Sequence, residues 1–250
     1  MQIAVLSDIH LGVKDELDQF YRNDGAEEQL NYLLNYLENQ VDKIVLLGDI
    51  FETLRGRQYS KQKRLVKILE AYPVLTANII ENPKYELIQG NHDFITGKLL
   101  NAQESLILDE DNVKMAFFHG HQVDGIVEDF WTRNFEKIGV WLGGWCERFG
   151  LDITKSGNLR SKFKALNDEW KVGAFEKACA TLGSSMGCDI VVTGHSHHPM
   201  KVEIDDTLFL NSGTRVAARQ DLIIVDTYSK QYEVYKKFDP RSQSNSWFHR

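Results

Sequence analysis

The chain has 250 residues, 42% hydrophobic and 26% charged, with only four prolines. That is enough apolar material for one large core, or a core with an inserted subdomain, and it excludes disorder as the default state. A formal charge of -7 argues against a broad nucleic-acid surface, because affinity for phosphate backbones rests on clustered Lys and Arg. Cys146, Cys179 and Cys188 are odd in number and lack CxxC spacing, so neither a disulfide framework nor a zinc knuckle is indicated.

The apolar run 3–6 reads as a strand buried on both faces and leads into Asp8-Ile9-His10. It has no basic residues before it and is too short for the apolar segment of an export signal. No stretch approaches the ~20 apolar residues of a membrane span, so a cytoplasmic location is expected. Leu30, Leu33, Leu34 and Leu37 recur at helical spacing within 27–38, and 44–47 is a second buried strand ending at Gly48-Asp49. A helix over 61–71, with Leu65, Ile68 and Leu69 inward, precedes a strand over 85–88 that delivers Gly90-Asn91-His92-Asp93. The strand over 113–118 then leads to His119-Gly120-His121. In open α/β sheets, ligands bind at the carboxyl ends of such strands.

From about Asp124 to Met186 the pattern is helical without β-branched runs, and it reads as a cap inserted between two site-bearing strands. Trp131, Phe135, Trp141, Trp145 and Phe149 fall on one helical face there. That stripe either docks the cap on the body or lines a pocket for an acyl chain, lipid or base. Arg160, Lys162 and Lys164 lie in a basic stretch that is either a solvated face or a set of phosphate contacts. Strands return at 190–193, ending in Gly194-His195-Ser196-His197, and at 201–204, 208–210, 222–225 and 232–234. Their close spacing predicts a second, mostly antiparallel sheet facing the first. The expected division is a core of 1–123 and 187–238, a cap of 124–186, and a polar, mobile tail of 239–250.

Seven side chains in five glycine-rich blocks, Asp8, His10, Asp49, Asn91, His119, His195 and His197, make a nitrogen and oxygen ligand set without sulfur. Such a set suits Mn, Fe or Zn. Asp8 and His10 lie two residues apart, so an extended segment would turn both the same way. Asp49 is a carboxylate able to bridge two cations. Each block is weak alone; five in order, each after a buried strand, are specific.

The ordered pattern D-x-H, GD, GNH[DE], H and GHxH resembles the calcineurin-like metallophosphoesterase superfamily. The resemblance implies an α/β/β/α sandwich of two mixed sheets with an inserted helical cap. It places Asp8, His10, Asp49 and His197 on one divalent ion and Asp49, Asn91, His119 and His195 on a second, with manganese expected and iron or zinc as alternatives. It implies attack of a metal-bridging hydroxide on phosphorus, with His92 giving a proton or hydrogen bond to the leaving or phosphoryl oxygen and Asp93 orienting His92. Arg55 and Arg57, on the loop after Asp49, are candidate phosphate contacts or solvated side chains. His121 and Asp124 are further candidates beside the site.

The helical insertion, the loop Asp49-Ile50-Phe51-Glu52 and Asp124 are also similar to the UDP-2,3-diacylglucosamine hydrolases, which cleave a pyrophosphate in a nucleotide-linked lipid. That subgroup commonly has arginine where this chain has His92 and aspartate where it has His121. The expected function is therefore two-metal hydrolysis of a phosphodiester or pyrophosphate, in a small phosphate ester or a lipid-linked nucleotide. A nucleotide phosphodiesterase or nuclease, a phosphomonoesterase and an inactive scaffold stay open as alternatives. No stable nucleic-acid complex is expected, and at most peripheral membrane contact; the oligomeric state is left open.

Overall fold

The computed structural model describes residues 1–55, 59–125, 172–216 and 219–241. Two five-stranded mixed sheets stack face to face. The first has β1 (Gln2–Leu6), β2 (Lys43–Leu47) and β3 (Tyr85–Ile88) in parallel, and β9 (Leu222–Asp226) and β10 (Gln231–Tyr235) added antiparallel, in the order β10-β9-β1-β2-β3. The second runs β4-β5-β6-β8-β7, from β4 (Ser105–Glu110), β5 (Val113–Phe118), β6 (Ile190–Thr193), β7 (Met200–Ile204) and β8 (Thr207–Asn211).

Strand alternation sorts the apolar side chains into three layers. Ile3, Val5, Val45 and Leu47 face Met115, Phe117, Val192 and Leu210 between the sheets. Their sequence neighbours Ala4, Leu6, Ile44 and Leu46 point outward, onto Leu30, Leu33, Leu34 and Leu37 of α1 (Ala26–Glu38) and Leu65 and Ile68 of α2 (Lys61–Ala71). On the far side, Ala116, Phe118, Val191 and Phe209 meet Ala178, Cys179 and Leu182 of a helix over Ala174–Ser185. Both faces of β1 and β2 are thus covered, which accounts for their unbroken apolar sequences.

The structure corrects three expectations. The helix Ala174–Ser185 falls within the expected cap range of 124–186, yet it packs on the second sheet as part of the core, because its Ala, Cys and Leu face fits β6 and β8. The second sheet is antiparallel only at its outer pairs, β4 with β5 and β7 with β8; β5, β6 and β8 are parallel. The last two strands, β9 and β10, belong to the first sheet, where Leu222 and Ile224 complete the layer against α1. Helix α3 (Pro73–Glu81), the short α4 (Thr96–Leu99) and β4 had no anticipated counterpart; the core helix Ala174–Ser185 is α5.

The aromatic stripe, Arg57, Arg160, Lys162 and Lys164 lie outside the described residues, as does the tail beyond Arg241. Among the described residues, no helix is long and apolar enough to cross a membrane.

Candidate metal centre

Parallel strands carry their carboxyl ends to one edge. Asp8 follows β1, Asp49 follows β2, Asn91 follows β3, His119 follows β5, and His195 and His197 follow β6. The expectation that Asp8 and His10 converge from an extended segment does not hold. Asp8, His10, Asp49, His195 and His197 all adopt left-handed backbone, with φ of 52°, 54°, 53°, 65° and 57°. This is uncommon for residues with a Cβ and costs of order 1–3 kcal/mol each, so the surrounding bonds must hold it. Those bonds are present: the amides of Asp8 and His10 donate to the carbonyls of Gly48 (3.1 Å) and Asp49 (3.0 Å), and Asp8 O accepts from Thr214 Oγ1 (3.0 Å) and the Arg215 amide (3.2 Å).

Two glycines let the loops approach. Gly48 has φ +84°, and a Cβ there would lie 2.6 Å from the His119 ring. A Cβ on Gly194 would collide with Ser7 Oγ and lie 2.7 Å from Asp8 Oδ2.

Lone pairs converge at the centre. His119 is fully buried, and its Nδ1 faces the Leu47 carbonyl at 2.8 Å, an acceptor only, so Nδ1 carries the hydrogen. In the neutral ring its Nε2 therefore presents a lone pair, 3.1 Å from Asn91 Oδ1 and 3.3 Å from Asp49 Oδ2. Three acceptors meeting in a buried space need a cation or a proton between them. The electrostatics agree: burial works against a charged His119, yet Asp49 and Asp8 push its pKa up to about 9. His10 repeats the arrangement, with Nδ1 on Glu52 Oε2 at 3.2 Å and Nε2 turned to Asp49 Oδ2 (3.8 Å) and Asp8 Oδ1 (3.9 Å). Asp8 Oδ1 is buried without a hydrogen bond of normal geometry among the described residues, 3.0 Å from His197 Nε2.

Three overlapping groups have ligand atoms within 4.8 Å of one another: Asp8, His10 and His197; Asp8, Asp49 and His119; and His10, Asp49 and His92. A carboxylate set with imidazoles, of which His10, His92 and His119 are oriented through the second nitrogen, fits divalent cations. Residues 1–199 match the family described as calcineurin-like phosphoesterase.

The chain belongs to the calcineurin-like phosphoesterase family. Similar solved structures include a predicted phosphoesterase from Streptococcus pneumoniae TIGR4, at 17% identity over 94% of this chain and 97% of that one, with a TM-score of 0.42. Vps29 from Entamoeba histolytica complexed with zinc is 16% identical over 94% and 91% of the two chains, with a TM-score of 0.47. YfcE, a phosphoesterase from E. coli, is 15% identical over 93% and 96%, with a TM-score of 0.42. No curated protein matches.

Within this calcineurin-like centre, two roles differ from expectation. Asp93 does not orient the His92 ring; its carboxylate accepts the amides of Gly90 (2.6 Å), Ile50 (2.7 Å), Phe51 (3.2 Å) and Asp49 (3.3 Å). It ties the β2 loop to the β3 loop. Burial and the nearby Asp49 nonetheless push its carboxyl up to about 6. The residue that holds the His92 ring is Glu52, whose two oxygens lie 3.1 and 2.9 Å from His92 Nδ1. Glu52 Oε2 also lies 3.3 Å from Arg55 Nε, which fixes that arginine at the rim. The sequence signal was present in Asp49-Ile50-Phe51-Glu52, but nothing local named the partners.

Asp124, a candidate substrate contact, instead faces His195 Nε2, with both oxygens at 3.0 Å, leaving His195 its Nδ1 for a metal. His121 stacks against His119 and His195, with ring centroids 5.6 and 6.5 Å away. Burial, with the imidazoles of His119 and His195 beside it, lowers its pKa to about 4. Asn211 braces the His195 loop, donating from Nδ2 to Gly194 O (2.6 Å), Thr193 Oγ1 (3.1 Å) and Ser196 Oγ (3.2 Å).

Proposed function

We propose that the chain is a metal-dependent phosphoesterase that hydrolyses a phosphodiester or pyrophosphate bond. The observation that carries this reading is the convergence of the Asp49 carboxylate, Asn91 Oδ1 and the His119 Nε2 lone pair on one buried point. Asp8, His10, Asp49 and His197 would hold one divalent ion, and Asp49, Asn91, His119 and His195 a second, with manganese the proposed metal. When bound, the ions supply acidity to a water and positive charge to the phosphoryl oxygens.

The chain's own residues do the rest. Glu52 and Asp124 fix the ring orientations of His10 and His195. His92, pinned through Nδ1 on Glu52, keeps Nε2 to donate a proton to the leaving oxygen, and the Glu52 hydrogen bond raises its pKa in favour of that donor form. Arg55, anchored through Nε, adds charge at the rim for a substrate phosphate.

For the substrate, a nucleotide-linked lipid such as UDP-2,3-diacylglucosamine is proposed from the Asp49 to Glu52 motif and Asp124. The presence of His92 supports a second reading, a small phosphodiester or nucleotide substrate. A Mn²⁺ activity panel separates them, using bis-p-nitrophenyl phosphate, p-nitrophenyl phosphate, UDP-2,3-diacylglucosamine and cyclic nucleotides. Turnover of the lipid-linked nucleotide alone supports the first, and turnover of the simple diesters and nucleotides supports the second. Hydrolysis of monoesters only would reject both, and an Asp49→Asn variant with full activity would reject the metal centre.

A further inference from the structure

Arg215 is the least compensated charge among the described residues. It is 6% exposed, and its guanidinium makes no hydrogen bond or ion pair among those residues; its buried Nη1 is without a partner. Burial lowers its pKa to about 10, so it remains a cation at neutral pH. The carboxylate that acts on it through charge, Asp221, is already engaged by Arg219 Nη2 at 2.7 Å and by the amides of Thr214 and Lys237, both at 3.3 Å. A buried guanidinium left this way is unfavourable, and five donors in a planar fork match an oxyanion.

Arg215 lines a cavity of about 40 Å³ that Arg219, Asn23, Gln29, Ala26 and the exposed Asp24 also line. The cavity lies at the amino end of α1, whose cap residue Gly25 offers no side-chain hydrogen bond. Such an end favours negative charge. It is separate from the metal cluster: none of the seven expected ligands lines it, and the link between them is the Arg215 amide on Asp8 O.

We propose that Arg215 and the amino end of α1 bind a small oxyanion of the phosphate class, at a site distinct from the metal centre. The volume suits a free ion rather than a nucleotide or lipid. Bidentate Arg215 contacts supply the specificity, and Arg219, paired with Asp221, lines the cavity beside it. The site does not depend on the proposed catalytic reading, and its test reads binding rather than turnover.

The experiment titrates inorganic phosphate into the full chain, with Mn²⁺ and after chelation, following Tm and the ³¹P NMR linewidth. Phosphate is expected to raise Tm under both conditions, with an increment growing logarithmically once phosphate exceeds Kd. Arg215→Met is expected to abolish the increment that survives chelation while melting no lower than wild type without phosphate, because an apolar side chain replaces an unpaired buried charge. Arg215→Lys keeps the charge but loses the fork, and is expected to weaken binding by about tenfold or more. If Arg215→Met fails to fold, Arg219→Gln serves in its place, with weaker phosphate binding expected. Glycerol 3-phosphate distinguishes a free ion from an esterified group and is expected to bind more weakly. No increment after chelation, an unchanged increment in Arg215→Met or Arg219→Gln, or equal binding of glycerol 3-phosphate would overturn the proposal.

Discussion

Glu52 grips His92 by its Nδ1, with carboxylate oxygens at 3.1 and 2.9 Å, and the same carboxylate reaches His10 Nδ1 at 3.2 Å. One buried side chain thereby sets the ring orientation of an expected metal ligand and of the expected proton donor. Hydrogen bonds from both imidazoles hold the Glu52 carboxyl well below its ordinary range, against the opposing effect of burial.

Glu52→Gln removes the negative charge that both imidazoles share and leaves one acceptor oxygen for the two rings and for the Leu54 and Arg55 amides, which use the other oxygen in the wild type. Turnover is expected to fall by about 10–100-fold, with weaker metal affinity, as for other groups that orient metal-ligating histidines. Steady-state kinetics with metal analysis of the purified variant checks this; wild-type values for both would remove Glu52 from the site's function.

His92→Ala removes the donor but none of the seven expected ligands. Turnover is expected to drop by about 10²–10⁴-fold, with bound metal retained. If the metal is lost along with activity, His92 acts as a ligand, in keeping with its closeness to His10 and Asp49.

The Glu52 hydrogen bond raises the His92 pKa above its usual 6.5, with burial opposing and Asp49 assisting. For a group raised in the folded state, the stabilising contribution is complete below the unfolded pKa and disappears as pH climbs through the folded pKa. In the metal-free protein, His92 ring NMR signals are expected to titrate above 6.5 and to move to lower pH in Glu52→Gln. A titration that Glu52→Gln leaves in place would show that the carboxylate does not control it.

Asp93→Ala would strand four amides in the buried turn between β2 and β3. At about 1–3 kcal/mol for each unsatisfied group, a loss of at least roughly 3 kcal/mol is expected. Chemical denaturation measures it, and a change under about 1 kcal/mol would mean that water replaces the carboxylate.

Asp8 and Asp49 are buried carboxylates in one cluster, so a divalent ion is expected to stabilise the fold and chelation to lower Tm. Mn²⁺ should raise Tm in a concentration-dependent manner, and Asp49→Asn should reduce that response. A melting curve indifferent to Mn²⁺, Zn²⁺ and EDTA would contradict cation binding at these residues.

The strands β1, β2, β3, β5 and β6 and the polar blocks after them were legible in the sequence because both signals are local. A strand covered on both faces must be continuously apolar, and the turn beyond it is where polar ligands can stand. The apolar face of helix α5 does not name its partner in the sequence; only docking on Val191 and Phe209 makes it core rather than cap. Likewise, the short spacing of the late strands could not reveal that β9 pairs with β1 while β8 pairs with β6. The sequence by itself determined which polar side chains stand beyond the strand ends and the order in which the strands deliver them. The tertiary structure decided which groups support them: Glu52 on His92, Asp93 on four amides, Asp124 on His195, and Arg215 with no partner among the described residues. The contacts of Glu52, Asp93 and Asp124 join residues 40, 43 and 71 apart in the chain, and they exist only once sheet order, register and left-handed turns bring distant loops to one edge of the sandwich.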